Sequence, residues 1–283
     1  MKAVIAAGLG AWLVWAPRVQ AEPHRHAWFE DLANPPPAHE ALDERFEPPQ
    51  GYNRIRVAPD SFARWLRTLP IRVDRMQVLS HAGDPLRRPS AGIVLMDVGK
   101  RDLMQCADSV IRLHAEYLWA RGRSDEAAYR FTSGDRTRWA DWVGGERFRI
   151  EGPRVVRSKG SARKASHSSY RQWLDLVFTY AGTLSLARDA AKPAVTDPIE
   201  AGDFYVEGGS PGHAVIVLDV VENASGERLA LMGQGFMPAE DIHVLRSSKA
   251  KDGVWFSLPS QSGEWLDTPS WRPFAAESRR RLH

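Results

Sequence analysis

The order of apolar periodicities along this 283-residue chain predicts an α+β fold, helices first and an antiparallel meander last. Three segments carry that prediction. "DLMQCADSVIRLHAEYLWARGR" sets Val110, Leu113 and Tyr117 on one helical face. "SYRQWLDLVFTYAGTLSLARDA" (169–190) does the same with Trp173, Leu176, Val177, Tyr180 and Leu184, interrupted by Gly182. "DFYVEGGSPGHAVIVLDVVENASGERLALMGQGF" then alternates apolar runs at 203–207, 214–221 and 228–233 with turn signals at "GGSPG" and "NASGE".

From the N-terminus, residues 1–21 read as a cleaved signal peptide. Lys2 supplies the positive charge, "AVIAAGLGAWLVWA" the apolar stretch, and Val19 and Ala21 the small residues of a cleavage site. That stretch is short for a membrane span and no second one follows, so no stable anchor is expected after cleavage. The mature chain is expected outside the cytoplasm, periplasmic or extracellular. Residues 22–51, with "NPPPAHEAL" and "FEPPQGY", read as a Pro-rich linker. One α+β domain follows over 52–258. Its first helix is "SFARWLRTLP", with Ser61 as cap and Pro70 as stop. "MQVLSHAGDPLRRP" and "GIVLMDVG" read as strands around a turn, and "DIHVLR" and "GVWFSLP" as short strands. Residues 259–283 read as a tail.

Composition excludes some classes. At 43% hydrophobic and 26% charged, the chain is an ordinary globular protein. Removing Lys2 and Arg18 with the signal leaves 36 basic residues against 35 acidic, so the high pI is a narrow excess. "RSKGSARK" and "SRRR" look like solvated loop and tail, and nothing interleaves basic and aromatic residues as nucleic-acid binding would require. The nine histidines show no HExxH spacing and the lone cysteine forms no CxxC, so no metal or other cofactor is expected. Asp241 and His243 can share a strand face, but two ligands do not make a site.

The candidate chemistry starts from Cys106, unpaired in a chain expected to be exported. It falls in the first turn of its helix, where free amides and the helix dipole favour a thiolate. His213 opens the strand "HAVIVLDV" and is a candidate base for that thiol. Under simple antiparallel pairing about Ser225, opposed residues sum to about 450, which brings Gln234 near His213. The Gln234 amide oxygen can accept from the imidazole. Gln105 is an oxyanion candidate, with a solvent-facing helix residue as its plain alternative. Trp139 and Trp142 are candidates to line a substrate cleft, with core packing as the favoured plain alternative. Asp108 reads as an ordinary first-turn acid and Arg112 as a surface or ion-pair residue.

The motifs "SFARWLRTLP", "DLMQCADSVIRLHAEYL", "FTSGDRTRWADWVGGER", "WLDLVFTYAGTLSL" and "GDFYVEGGSPGHAVIVLDV...LMGQGFMPAEDIHVL" together resemble a bacterial family of exported proteins, domain of unknown function 4846. That resemblance implies no reaction. A looser one is to the papain-like cysteine hydrolases of the NlpC type, which cleave amide bonds in cell-wall peptides. It implies a helix-start cysteine packed on an antiparallel meander, with Cys106, His213 and Gln234 in catalytic order. The long Cys106–His213 separation departs from that pattern. Two readings stay open. One is a secreted cysteine hydrolase or amide transferase acting on cell-wall peptide or another amide or ester. The other is a non-catalytic envelope module that binds sugar or peptide in a Trp-lined cleft.

Overall fold

A computed structural model describes residues 26–32, 34–152 and 154–283 of the chain. The expected signal peptide, 1–21, lies outside the described residues. The fold is α+β. Eight strands form its main sheet: β1 (Tyr52–Arg54), β2 (Ser90–Ile93), β3 (Asp203–Glu207), β4 (His213–Asn223), β5 (Arg228–Gln234), β6 (His243–Leu245), β7 (Trp255–Ser257) and β8 (Arg279–Arg281). Their order is β8-β3-β4-β5-β6-β2, with β1 paired to the far end of β4 and β7 to that of β5. Every pairing in it is antiparallel.

Among the described residues, six α-helices accompany the sheet: α1 (Leu42–Arg45), α2 (Phe62–Arg67), α3 (Cys106–Ala120), α4 (Trp139–Val143), α5 (His167–Tyr180) and α6 (Thr183–Asp189). Ser61 caps α2 by accepting from the Arg64 amide. The 169–190 helix is two helices, because the chain leaves the helical path at Ala181 and Gly182 before α6 begins. Helices α2 and α3 pack on β4 and α6 on β3. Trp271 and Phe274, from the C-terminal segment, lie against His213 on the opposite face. With both faces covered, β4 is buried from His213 to Val221, which is why its sequence is a continuous apolar run rather than an alternating one.

Two expected boundaries are corrected. Residues 26–51 are not a linker: Trp28, Leu42 and Phe46 join the core, and the Trp28 indole donates to the Leu95 carbonyl at 2.8 Å. Residues 259–283 are not a tail. Leu266 and Phe274 are buried, and β8 pairs with β3 as an edge strand of the sheet. Its arginines are held as well: Arg279 is buried and Arg281 bonds Asp203.

Candidate functional site

The first turn of α3 builds a cleft of about 320 Å³ against the 208–212 turn. Gln105 caps the helix. Its own N–H donates to the Asp108 carboxylate at 3.1 Å, and its side-chain amide donates to Asp102 at 3.0 Å. Cys106, Asp108, Thr183 and Met237 line the space together with Gly209–Gly212. Gly212 is required there by close approach. A Cβ on it would sit 2.2 Å from Thr183 Oγ1 and 2.7 Å from two carbonyl oxygens.

Cys106 is 5% exposed, with its sulfur 4.0 Å from the Gly212 carbonyl oxygen. Burial pushes its thiol up to about 11, with the neighbouring Asp108 carboxylate adding to it. The amides of Ala214, Ala107 and Cys106 itself pull the other way. Asp108 is itself pushed well above the usual carboxylate range by burial, against the amides of Gln105 and Asp108 and the charge of Arg171. Among the described residues, Asp108 Oδ1 is buried without a hydrogen-bond partner.

His213 is 1% exposed, and its Nε2 lies 2.8 Å from Gln234 Oε1. The structure thus brings two of the three proposed residues together. It does not bring the third. The thiol meets the peptide groups on either side of His213, the Gly212 carbonyl and the Ala214 amide, and not the ring. Strand alternation is the reason. Gly235 points at α3, where a Cβ would meet Ser109 Oγ at 2.2 Å, so Gln234 points the other way. His213 follows Gln234 and packs against Phe236, Trp271 and Phe274, at ring distances of 4.7, 5.1 and 6.0 Å. The expected Cys106–His213 pair is therefore corrected: its members occupy opposite faces of one sheet.

On that second face the polar groups form a chain. Gln234 Nε2 lies 3.5 Å from His243 Nε2, and His243 Nδ1 lies 3.1 Å from the Asp241 carbonyl oxygen. One proton arrangement satisfies all three contacts: His213 protonated at Nε2, His243 at Nδ1, both rings neutral. Burial agrees, pushing each imidazole down to about 4. Beyond them Glu240 bonds Arg88 at 2.8 Å, and burial raises its carboxyl to about 7. Asp241 turns its carboxylate to Arg75 instead of toward His243.

Trp139 and Trp142 are corrected too. They are 1% and 5% exposed and stack on each other at 5.7 Å, with Trp139 packed on Tyr170 and Trp173 away from the cleft. Gln105 does line the cleft, with its amide engaged by Asp102. Arg112, read from sequence as a surface or ion-pair residue, is fully buried between Asp97 and Glu116. His167 binds the same Glu116 at 2.9 Å, tying α5 to α3. Among the described residues, no group of three or more His, Cys, Asp or Glu side chains is placed to hold a metal ion.

The model of one family, described as a domain of unknown function (4846), matches residues 42–281. The chain belongs to that family. No curated protein and no solved structure matches the chain. The family match spans both faces of the sheet, from Leu42 in the core to Arg281 in β8, so the Cys106 cleft and the His213–Gln234–His243 chain both belong to the family's unit.

Proposed function

We propose that the chain is an exported, non-catalytic binding module that takes a peptide or other amide-bearing envelope ligand in the Cys106 cleft. Export rests on the sequence of residues 1–21. One observation carries the reading: the imidazole that would activate Cys106 bonds Gln234 on the far face of the sheet, leaving the thiol buried and protonated. With a thiol near 11, the thiolate fraction at pH 7.5 is on the order of a few in ten thousand, against about a tenth for a free cysteine. The cleft supplies the Asp108 carboxyl and the carbonyls of the 209–212 turn, groups suited to an amide.

A second reading, the NlpC-like cysteine hydrolase, is favoured by one specific feature. Three peptide amides act on the Cys106 sulfur, the donor set that a thiolate needs. It requires the His213 ring on the α3 face, a one-residue change of strand parity.

Purified sacculi and soluble cell-wall peptides separate the two. Binding should survive Cys106→Ser and weaken in Met237→Arg at the cleft mouth, with no fragments released. Iodoacetamide should label Cys106 slowly and at the same rate in His213→Ala. Fragment release that Cys106→Ser abolishes would overturn the binding reading and support the hydrolase.

A further inference from the structure

A second surface stands apart from the cleft. Residues 136–164 hold nine basic and three acidic residues, a net +6 in a chain whose total is +3. The remaining residues therefore sum to −3. This segment contains an antiparallel hairpin, Glu146–Glu151 against Arg154–Lys159, outside the main sheet. Its register pairs Arg154 with Glu151 and Arg149 with Val156. Strand alternation then sets Arg147, Arg149 and Arg154 on one face together with Glu151, with Arg147 and Arg149 ~7 Å apart along their strand, and Arg157 and Lys159 on the other.

The acids of the segment are already engaged. Glu146 bonds Arg157 at 2.5 Å, Glu151 bonds Arg149 at 2.5 Å, and Asp141 faces Arg138 at 4.0 Å. Among the described residues, Arg136, Arg147, Arg154, Lys159, Arg163 and Lys164 have no acidic partner within 4.0 Å. Arg147 and Arg163 both lie over the Trp142 ring, at 4.9 and 4.6 Å, so two like charges are held together. A face that served solubility alone would intersperse the two signs.

We propose that this hairpin is an electrostatic docking face for an anionic phospholipid surface. A two-stranded ribbon offers a flat row of cations, which complements a plane of phosphodiester headgroups. Its aromatic groups are withdrawn: Trp142 is buried and Phe148 lies under Arg157, so none is free to stack on a base. The cations act together, each adding to the attraction within a Debye length of the surface.

Cosedimentation of the purified protein with vesicles tests this. Vesicles of equal phosphatidylcholine and phosphatidylglycerol should bind it, and pure phosphatidylcholine should not. Raising salt from ~50 to ~500 mM should release it. Arg149→Glu/Arg154→Glu/Lys164→Glu should weaken binding by more than about a hundredfold. A control with the same net charge, Arg87→Glu/Lys100→Glu/Lys192→Glu, should bind much more tightly than that variant. Equal loss in both triple variants, indifference to lipid charge, no binding to either vesicle, or tighter binding to duplex DNA at the same salt would each overturn the proposal.

Discussion

Gly235→Ala tests the geometry that separates Cys106 from His213. Gly235 follows β5 and faces the first turn of α3. A Cβ there would lie 2.2 Å from Ser109 Oγ, 3.4 Å from Ser109 Cβ and 3.4 Å from the Gln105 carbonyl oxygen. Ordinary contact begins near 3.4 Å. The clash is therefore with one hydroxyl, which is itself held by a 2.8 Å bond to the Gln105 carbonyl. Either Ser109 gives up that bond or the helix start lifts by roughly an ångström. Overpacking of this kind costs about 1–3 kcal/mol, a fall in melting temperature of roughly 2–12 °C for a chain of this size. Ser109→Ala removes the offending oxygen and leaves only the 3.4 Å contacts. The double variant should recover most of the loss, and Ser109→Ala alone should melt near wild type. Thermal unfolding by circular dichroism reads all four proteins. If Gly235→Ala melts with wild type, or the double variant melts as low as the single, Gly235 does not face α3. The assignment of Gln234 and His213 to the opposite face then falls with it.

Gln234→Leu should destabilise by about 2–4 kcal/mol in urea titrations, because it strips partners from His213 and His243 at once. Acidification should unfold the protein between pH 6.5 and about 4. His114, His213 and His243 each fall from 6.5 to about 4 on folding, so the unfolded chain binds more protons in that window. Their contribution is complete above pH 6.5 and is lost as pH falls towards 4. Glu240, raised from 4.5 to about 7, and Asp108, raised by burial, act in the opposite sense, and the three histidines outnumber them. A stability profile flat between pH 7 and 4.5 would contradict these assignments. Trp139→Ala should cost about 3–5 kcal/mol without altering peptide binding, while Trp265→Ala, at 63% exposure, should change the denaturation midpoint little.

The sequence carried the meander well because turn chemistry and strand periodicity are local. Its runs at 203–207, 214–221 and 228–233 became β3, β4 and β5 with small changes at their ends. Antiparallel arithmetic about Ser225 was enough to find the His213–Gln234 contact, since Asp219 pairs with Leu231 and the one-residue shift beyond it is small. Parity was the missing information. "AVIVLDV" is apolar on both faces, so nothing in it says which face receives α3, and His213 and Ala214 exchange roles on that choice alone. Trp139 and Trp142 have a spacing that suits a core as well as a cleft. The burial of Arg112 depends on Asp97 and Glu116, whose approach is a tertiary event. In residues 26–51, prolines and charges outnumber the apolar residues, yet Trp28, Leu42 and Phe46 join the core, Phe29 and Leu32 pack against it, and residues 39–41 pair with 70–72.

The pairing of β3 with β8 sets a timetable for synthesis. β3 emerges from the ribosome well before Arg279–Arg281, so its outer edge stays open until residue 281 is translated. At roughly 5–20 residues per second that interval is roughly 4–15 s. An open edge is a template for another chain, and a nascent chain stalled anywhere between 208 and 278 would carry it for the whole pause. The finished chain closes the edge with its own arginine-rich strand, and Arg281 locks it there through Asp203.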